Sequence, residues 1–241
     1  MKNFMNSYLY PDELGHVNSW EYYFDQPGNI SLEEALSNKK YILGRDCALF
    51  ERPSNLFQNH YGQLDYWRSI CKKYIRFTPA VIEKLEAMKK FYHDKRILGV
   101  LVRGTDYAAL RPHGHPIPPT AEQAIEKAQD VMQSENFEAV YLATEDKNIL
   151  AKFRLAFGDK LITPEADYIN YDYEHAKFLA YYEPDRQNDK YLRGLEYLVS
   201  MLFIATSCKG LITCMTSGST GLMCLSSGFE YLYVFDLGCY D

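Results

Sequence analysis

The chain has 241 residues, of which 47% are hydrophobic, 15% aromatic and 24% charged, with a formal net charge of −6. That length carries a sizeable core in one large or two small domains. An acidic balance without a basic stripe excludes broad electrostatic binding to nucleic acid, so an anionic ligand has to be held by a few placed cations. The six cysteines contain no C-x-x-C and several lie in apolar segments, where free Cys behaves as a small hydrophobe; they read as reduced thiols of a cytoplasmic protein. The opening MKNFMNSYLYPDE lacks the apolar region of a signal peptide. No apolar run reaches the ~18 residues of a membrane span.

Residues 1–75 read as irregular and rich in aromatics, Asn, Gly and Pro, with one helix at 31–38 behind the cap-like Ser31. From Thr78 the pattern sharpens. Ile82, Leu85, Met88 and Phe91 recur at helical spacing after a Thr-Pro start, which predicts an N-cap followed by Pro in the first turn. An alternation then sets in: strand RILGVLV (96–102), helix Ala121–Gln133, strand EAVYLAT (138–144), helix Lys147–Phe157 and short strand KLIT (160–163). Residues 164–190 read as a long loop, followed by a helix at 191–207, strand GLITC (210–214), a helix opening near Gly218 and strand YLYVFD (231–236). Apolar runs too continuous for one-sided sheets, alternating with helices, predict a parallel sheet covered on both faces, an α/β, Rossmann-like architecture. The expected division is a short N-terminal segment, 1–77, and a nucleotide-binding domain, 78–241.

Ligands of such sheets bind in the crevice at the carboxyl ends of the strands. Three loops there carry polar chemistry. The first strand ends on Arg103 and Asp106, inside GVLVRGTDYAALRPHGHPIPP (99–119), with Arg111, His113 and His115 further along. A guanidinium at a strand end gives a phosphate bidentate contacts that a lysine cannot copy; an Arg103–Asp106 ion pair is the structural alternative, and Asp106 could equally orient the arginine. The second strand delivers Glu145 and Asp146, either as ligand contacts or as carboxylates that favour a helix N-terminus. The strand at 210–214 leads into Thr216, Ser217, Gly218, Ser219 and Thr220, where hydroxyls and free N–H groups at a helix start offer an anion site or an ordinary N-cap. Neither G-x-x-x-x-G-K-[ST] nor G-x-G-x-x-G is present, so the P-loop and dinucleotide readings have no motif.

The stretch LGVLVRGTDYAALRPHGHP resembles the GVHVRRTD…HP motif of the GDP-fucose-dependent fucosyltransferases, the core α1,6-, nodulation and protein O-fucosyltransferases. VYLATEDKNILAKF is similar to their VYLATDDP segment, and CKGLITCMTSGSTG to their ADFLVCTFSS strand and loop. The three motifs fall in the same order over about residues 78–236. The resemblance implies a GT-B-type glycosyltransferase with an abbreviated N-terminal, acceptor-side part. It further implies that Arg103 holds the β-phosphate of GDP and stabilises its departure, with Asp106 supporting Arg103. Glu145 and Asp146 fall on the family's acidic pair, and Thr216 and Ser217 on the paired serines of the nucleotide loop. The chain also departs from the motif. Gly104 stands for its second arginine, Leu101 for the preceding histidine, Arg111 for the carboxylate proposed as base, and Met201 for the aspartate that binds the nucleobase.

The chemistry expected is inverting transfer of fucose from GDP-fucose to a glycan acceptor. No D-x-D is present, so Arg103 and the helix start at Thr216–Thr220 are expected to neutralise the leaving diphosphate without a metal or other cofactor. His113 is the expected base, with the acidic residues of loop 164–190, a candidate lid, as rivals. The partners expected are the nucleotide sugar and the glycan, with no nucleic acid, and with peripheral membrane association only through the acceptor. Two other readings stay open: a sugar-nucleotide-binding module weak in catalysis, and a Rossmann-like enzyme of unrelated chemistry.

Overall fold

A computed structural model describes residues 19–38, 61–92, 94–179 and 189–241. The helices are α1 (Leu32–Ser37), α2 (Tyr61–Tyr74), α3 (Pro79–Tyr92), α4 (Thr105–Leu110), α5 (Ala121–Ser134), α6 (Lys147–Phe157), α7 (Asp189–Ser207) and α8 (Ser217–Leu225). The strands are β1 (Ile97–Leu101), β2 (Ala139–Ala143), β3 (Leu161–Ile162), β4 (Gly210–Cys214) and β5 (Tyr231–Phe235). All neighbouring strands pair in parallel, in the order β3-β2-β1-β4-β5. The chain steps outward from β1 to β3, then crosses back to lay β4 on the other side of β1. The order therefore reverses between β1 and β4, where a doubly wound sheet opens its ligand crevice.

Every residue of β1, β2 and β4 is buried, which is why these runs read as continuously apolar. Alternate residues still sort by face. Ile97 and Leu101 join one core cluster with Val81 and Leu85 of α3 and with Leu195, Val199 and Phe203 of α7. Leu98 and Val100 join the other, with Ala124 and Ala128 of α5 and Leu150 and Phe153 of α6. Caps set the helix starts. Ser31 accepts from the Glu34 N–H at 3.0 Å, and Thr120 and Gln123 form a reciprocal capping box on α5. Among the described residues no helix is long and apolar enough to cross a membrane.

The described residues of 1–75 hold a second helix besides α1, against the expectation of an irregular segment with one helix. The 14-residue helix α2 lies within them, and so does part of the core. Its apolar stripe is thin, with buried Leu64 and half-buried Trp67 and Cys71 among charged and polar neighbours, and its other partners come from far along the chain. Arg68 donates from Nε to the Met223 carbonyl at 3.2 Å and from Nη2 to Ser226 Oγ at 3.4 Å, docking α2 on α8. Tyr23 stacks on Tyr191 of α7, with ring centroids 5.6 Å apart, and donates its hydroxyl to the Tyr191 carbonyl at 2.8 Å. Tyr22, Tyr23 and Leu64 thereby join the cluster on the α3–α7 face of the sheet.

Leu64 is 3% exposed and Leu155 is 90% exposed. Leu64→Ala is expected to lower the unfolding free energy by about 2–5 kcal/mol, the range for emptying a buried leucine site. Leu155→Ala is expected to stay within about 0.5 kcal/mol of the parent. Urea unfolding of the two variants checks both, and equal midpoints would mean that α2 is not part of the cooperative core.

Candidate active site

Three loops converge at the carboxyl ends of β1, β2 and β4. The β1 pairing runs one step past the strand, with the Val102 N–H on the Ala143 carbonyl at 3.1 Å, before the chain turns at Gly104 and Thr105. Thr105 opens α4 with φ 55°, a left-handed conformation rarely taken by a β-branched residue. Its polar atoms account for the hold on it. The Thr105 N–H lies 3.2 Å from the Tyr173 hydroxyl and 3.4 Å from Asp146 Oδ2. Thr105 Oγ1 lies 2.9 Å from Glu145 Oε1 and 3.3 Å from Asp106 Oδ1, and Gly104 N–H donates to the same Glu145 oxygen at 3.3 Å. Gly104 is needed for this approach, because a Cβ there would sit 2.6 Å from Asp146 Oδ2 and 2.8 Å from Ile149 Cδ1.

The two carboxylates after β2 do different work. Asp146 is fully buried and caps α6, accepting from the N–H groups of Asn148 (2.6 Å) and Ile149 (3.3 Å) on Oδ1. Its Oδ2 takes the Tyr173 hydroxyl in a short hydrogen bond. Tyr173 comes from the long loop, which is tied down by the Ile169 N–H on the Glu145 carbonyl at 2.8 Å and the Lys147 N–H on the Ile169 carbonyl at 3.0 Å. Burial pushes the pKa of Glu145 above its ordinary value, against the Arg103 charge and the Thr105 hydrogen bond, which favour the anion. A protonated Glu145 can donate to Thr105 Oγ1, which frees the single Thr105 hydroxyl proton for Asp106.

Arg103 is the site's cation. Its guanidinium lies over the Tyr107 ring, 3.7 Å from the centroid, with Nη2 3.6 Å from Asp106 Oδ1. The Arg103 side chain is 32% exposed and that of Asp106 only 2%, so the arginine reaches the crevice while the carboxylate lies beneath it. Asp106 Oδ2 accepts the Leu179 N–H at 3.2 Å, which also makes it an anchor for the long loop. Behind Tyr107 the His115 ring packs edge-on at 5.0 Å. His115 is pinned through its backbone: its carbonyl accepts the Tyr240 N–H at 2.9 Å, and the Gly114 N–H bonds the Tyr240 carbonyl at 2.9 Å. His113 and Arg111 are exposed on the same loop. No hydrogen bond, ion pair or ring contact among the described residues joins His113 to Arg103, Asp106 or Glu145.

After β4, Thr216 caps α8 by accepting the Ser219 N–H at 3.2 Å. Ser219 is fully buried, with its hydroxyl 2.6 Å from Thr213 Oγ1 and 2.9 Å from Thr216 Oγ1, so these two caps are occupied by the chain itself. The groups left for an anion are the first N–H groups of the helix, at exposed Ser217 and at Gly218. The Tyr197 hydroxyl, from α7, closes over Gly218 so tightly that a Cβ there would overlap it. Arg103, Glu145 and Cys214 lie near enough for their charges to bear on that hydroxyl, so Tyr197 marks the point where the three loops meet. Among the described residues no three His, Cys, Asp or Glu side chains converge as a metal-ligand set.

The structure thus gathers Arg103, Asp106, Glu145 and Asp146 with the α8 start at Thr216, Ser217, Gly218 and Ser219, and leaves His113 apart. The long loop, expected over 164–190, is a packed contributor as far as residue 179; residues 180–188 lie outside the described part, and α7 starts at Asp189. Sequence reasoning missed Thr105, Tyr107, Tyr173 and Tyr197. The TDY run was a signal for the first two, while Tyr173 and Tyr197 were two of 21 tyrosines.

No protein-family model matches the sequence, and no curated protein matches it. Among solved structures the chain is similar to the fucosyltransferase NodZ from Bradyrhizobium, at 13% identity, TM-score 0.48 and coverage of 86% of this chain and 75% of that one. It is similar to NodZ alpha-1,6-fucosyltransferase soaked with GDP-fucose at 12% identity and TM-score 0.46, covering 87% and 76%. For POFUT1 in complex with GDP-fucose the values are 12% and 0.45, covering 71% of this chain and 49% of that one. The chain therefore spans about half the length of the POFUT1 structure.

Because Glu145 titrates higher in the folded protein than the ~4.3 of a free glutamate, the folded state binds the extra proton. Its contribution to stability is present at low pH and declines as pH rises from that ordinary value through the raised one. Glu145→Gln, which cannot ionise, is expected to be at least as stable as the parent at neutral pH, and its stability should lose this part of the pH dependence. Thermal melts from pH 4 to 8 check it; a Gln variant that melts lower throughout would show that the ionised carboxylate stabilises the fold.

Proposed function

We propose that the protein is an inverting, metal-independent glycosyltransferase that moves fucose from GDP-fucose to a glycan acceptor. The observation that carries the reading is Arg103. It sits at the end of β1, beside the switch point, with its guanidinium plane set by Tyr107 and its charge bearing on Cys214 at the end of β4, where α8 opens. A diphosphate laid between Arg103 and the N–H groups of Ser217 and Gly218 would meet a bidentate cation on one side and a helix start on the other. Charge developing on the leaving GDP is then met by donors already in place, the arrangement that supplies the largest electrostatic share of catalysis. The motif resemblance to GDP-fucose-dependent enzymes selects the donor within the nucleotide sugars. The buried free thiols Cys208, Cys214 and Cys224 fit a reducing compartment and support work in the cytoplasm.

Arg111 and His113 are exposed, and the expected base His113 makes no contact with the cluster among the described residues, which favours the second reading, a GDP-sugar-binding module without transfer. Both readings require GDP to bind. At 100 times its dissociation constant GDP is expected to stabilise the fold by about 2.7 kcal/mol, visible as a raised melting temperature. A melt shifted by UDP or NAD and not by GDP would end the fucosyltransferase reading.

Transfer, or slow hydrolysis of GDP-fucose, is expected to persist in excess EDTA and to separate the enzyme from the module. Arg103→Lys should weaken GDP binding, because a point charge loses the fork geometry. Arg103→Ala should cut turnover ~10²–10³-fold, the scale for one preorganised transition-state donor. Near-normal turnover of the alanine variant, measured with the fold verified by its melt, would reduce Arg103 to a salt-bridge partner.

A further inference from the structure

Among the described residues three carboxylates, Asp106, Glu145 and Asp146, stand at the crevice, and their bonding separates them. Asp106 uses both oxygens within the fold, Oδ1 toward Thr105 and Arg103 and Oδ2 on the Leu179 N–H. Asp146 does the same, with two α6 N–H groups on Oδ1 and Tyr173 and Thr105 on Oδ2. Both residues are buried, Asp106 at 1% exposure and Asp146 at 0%. Glu145 alone is half-buried, and its hydrogen bonds from the described residues, from Thr105 Oγ1 and Gly104 N–H, fall on Oε1. The second oxygen is left for a substrate proton.

Position agrees with bonding. Glu145 follows β2, and α8 follows β4; the two strands flank β1, so their ends lie about two strand spacings, roughly 10 Å, apart. A diphosphate held at the α8 start would leave the space over the end of β1, between α8 and Glu145, for the sugar. In-line displacement with inversion needs its base on the side of the sugar away from the leaving group.

We propose that Glu145 is the general base of the transfer, an assignment that rests on the glycosyltransferase reading above. Glu145 Oε2 takes the proton of the acceptor hydroxyl as that oxygen bonds to C1 of fucose. The bond from C1 to the diphosphate oxygen breaks at the same time, and its electron pair leaves with GDP against Arg103. Desolvation helps, since a carboxylate whose pKa is raised is a stronger base and sits nearer the operating pH. The groups that bear on it are Arg103 and Asp106 from the β1–α4 turn, Asp146 beside it, Tyr173 from the long loop, and Tyr197 of α7. The base must be ionised, so the rate is expected to fall on the acid side as Glu145 gains its proton.

The test uses GDP-fucose with water as acceptor, and with azide, which attacks without needing deprotonation. Glu145→Gln is expected to hold GDP with affinity within about threefold of the parent, so that the loss lies in turnover rather than in binding. Its hydrolysis should fall ~10²–10⁴-fold, with the acid limb gone from the pH–rate profile. In Glu145→Ala, azide should restore turnover with fucosyl azide and GDP as products, a rescue that a structural role could not give. Hydrolysis by the Gln variant within about threefold of the parent, or an alanine variant that azide does not rescue, overturns the assignment. A parent protein that binds GDP without either turnover overturns it as well. A parent that binds no GDP overturns the glycosyltransferase reading and this proposal with it.

Discussion

The turn at Gly104–Thr105 is the constraint on which the rest of the site depends. It must leave β1, place Arg103 in the crevice and start α4 within three residues, and it does so by holding Thr105 at φ 55°. A non-glycine residue in that region costs on the order of 1–3 kcal/mol and persists only where its surroundings over-determine it. Here the surroundings are Asp146, Glu145, Asp106 and Tyr173, drawn from the turn between β2 and α6, from α4 and from the long loop. The same side chains that bend the backbone also close the floor of the site. Disturbing the turn therefore moves the cation, the carboxylates and the long loop together.

The electrostatics follow from that geometry. Arg103 stands among Asp106, Glu145 and Asp146, and a fully paired arginine would have little charge to offer a phosphate. Asp106 lies 3.6 Å from Nη2 and also accepts from Thr105 and the Leu179 N–H, while Asp146 caps α6. The guanidinium also lies over the face of Tyr107, 3.7 Å from the ring centroid, which orients its plane. Orientation by a ring and attraction by a carboxylate differ in this respect, because only the second competes with an anionic ligand. The His115 ring and the backbone pairing with Tyr240 then fix Tyr107 from behind.

Much of the sheet was legible because both of its faces are buried, which writes strands as unbroken apolar runs and helices as amphipathic ones. The ends of α6 and β4 read from sequence coincide with those of the structure, Lys147–Phe157 and Gly210–Cys214, since Asp146 and Gly158 flank one and Gly210 opens the other. Helix α2 was not legible. Its burial rests on Leu64, Trp67 and Cys71, too thin a stripe to stand out, and its anchors on α8 lie about 155 residues on. The site divides the same way. Arg103 and the acidic pair announce themselves at strand ends, but Tyr173 reaches Thr105 across 68 residues and Leu179 reaches Asp106 across 73, and no local pattern encodes such contacts.

Two departures from the fucosyltransferase motif acquire physical content from these contacts. At Gly104 the motif's second arginine has no room, because Asp146 and Ile149 occupy the volume that a Cβ would enter. The close packing of the β2 loop against the β1 turn thus excludes the motif's second arginine at this position. At Met201 the side chain is 4% exposed and belongs to the core cluster beneath the sheet, so it cannot reach a nucleobase. Tyr197 lies four residues earlier on α7, about 6 Å nearer the crevice along the helix axis, and on nearly the same face. It is 50% exposed, and its hydroxyl already lies over Gly218. Any contact that α7 makes with the base of a nucleotide therefore has to come from Tyr197 or from residues before it. Met201 thus cannot supply the base contact that the motif's aspartate makes, and Tyr197 offers a ring and a hydroxyl in its stead.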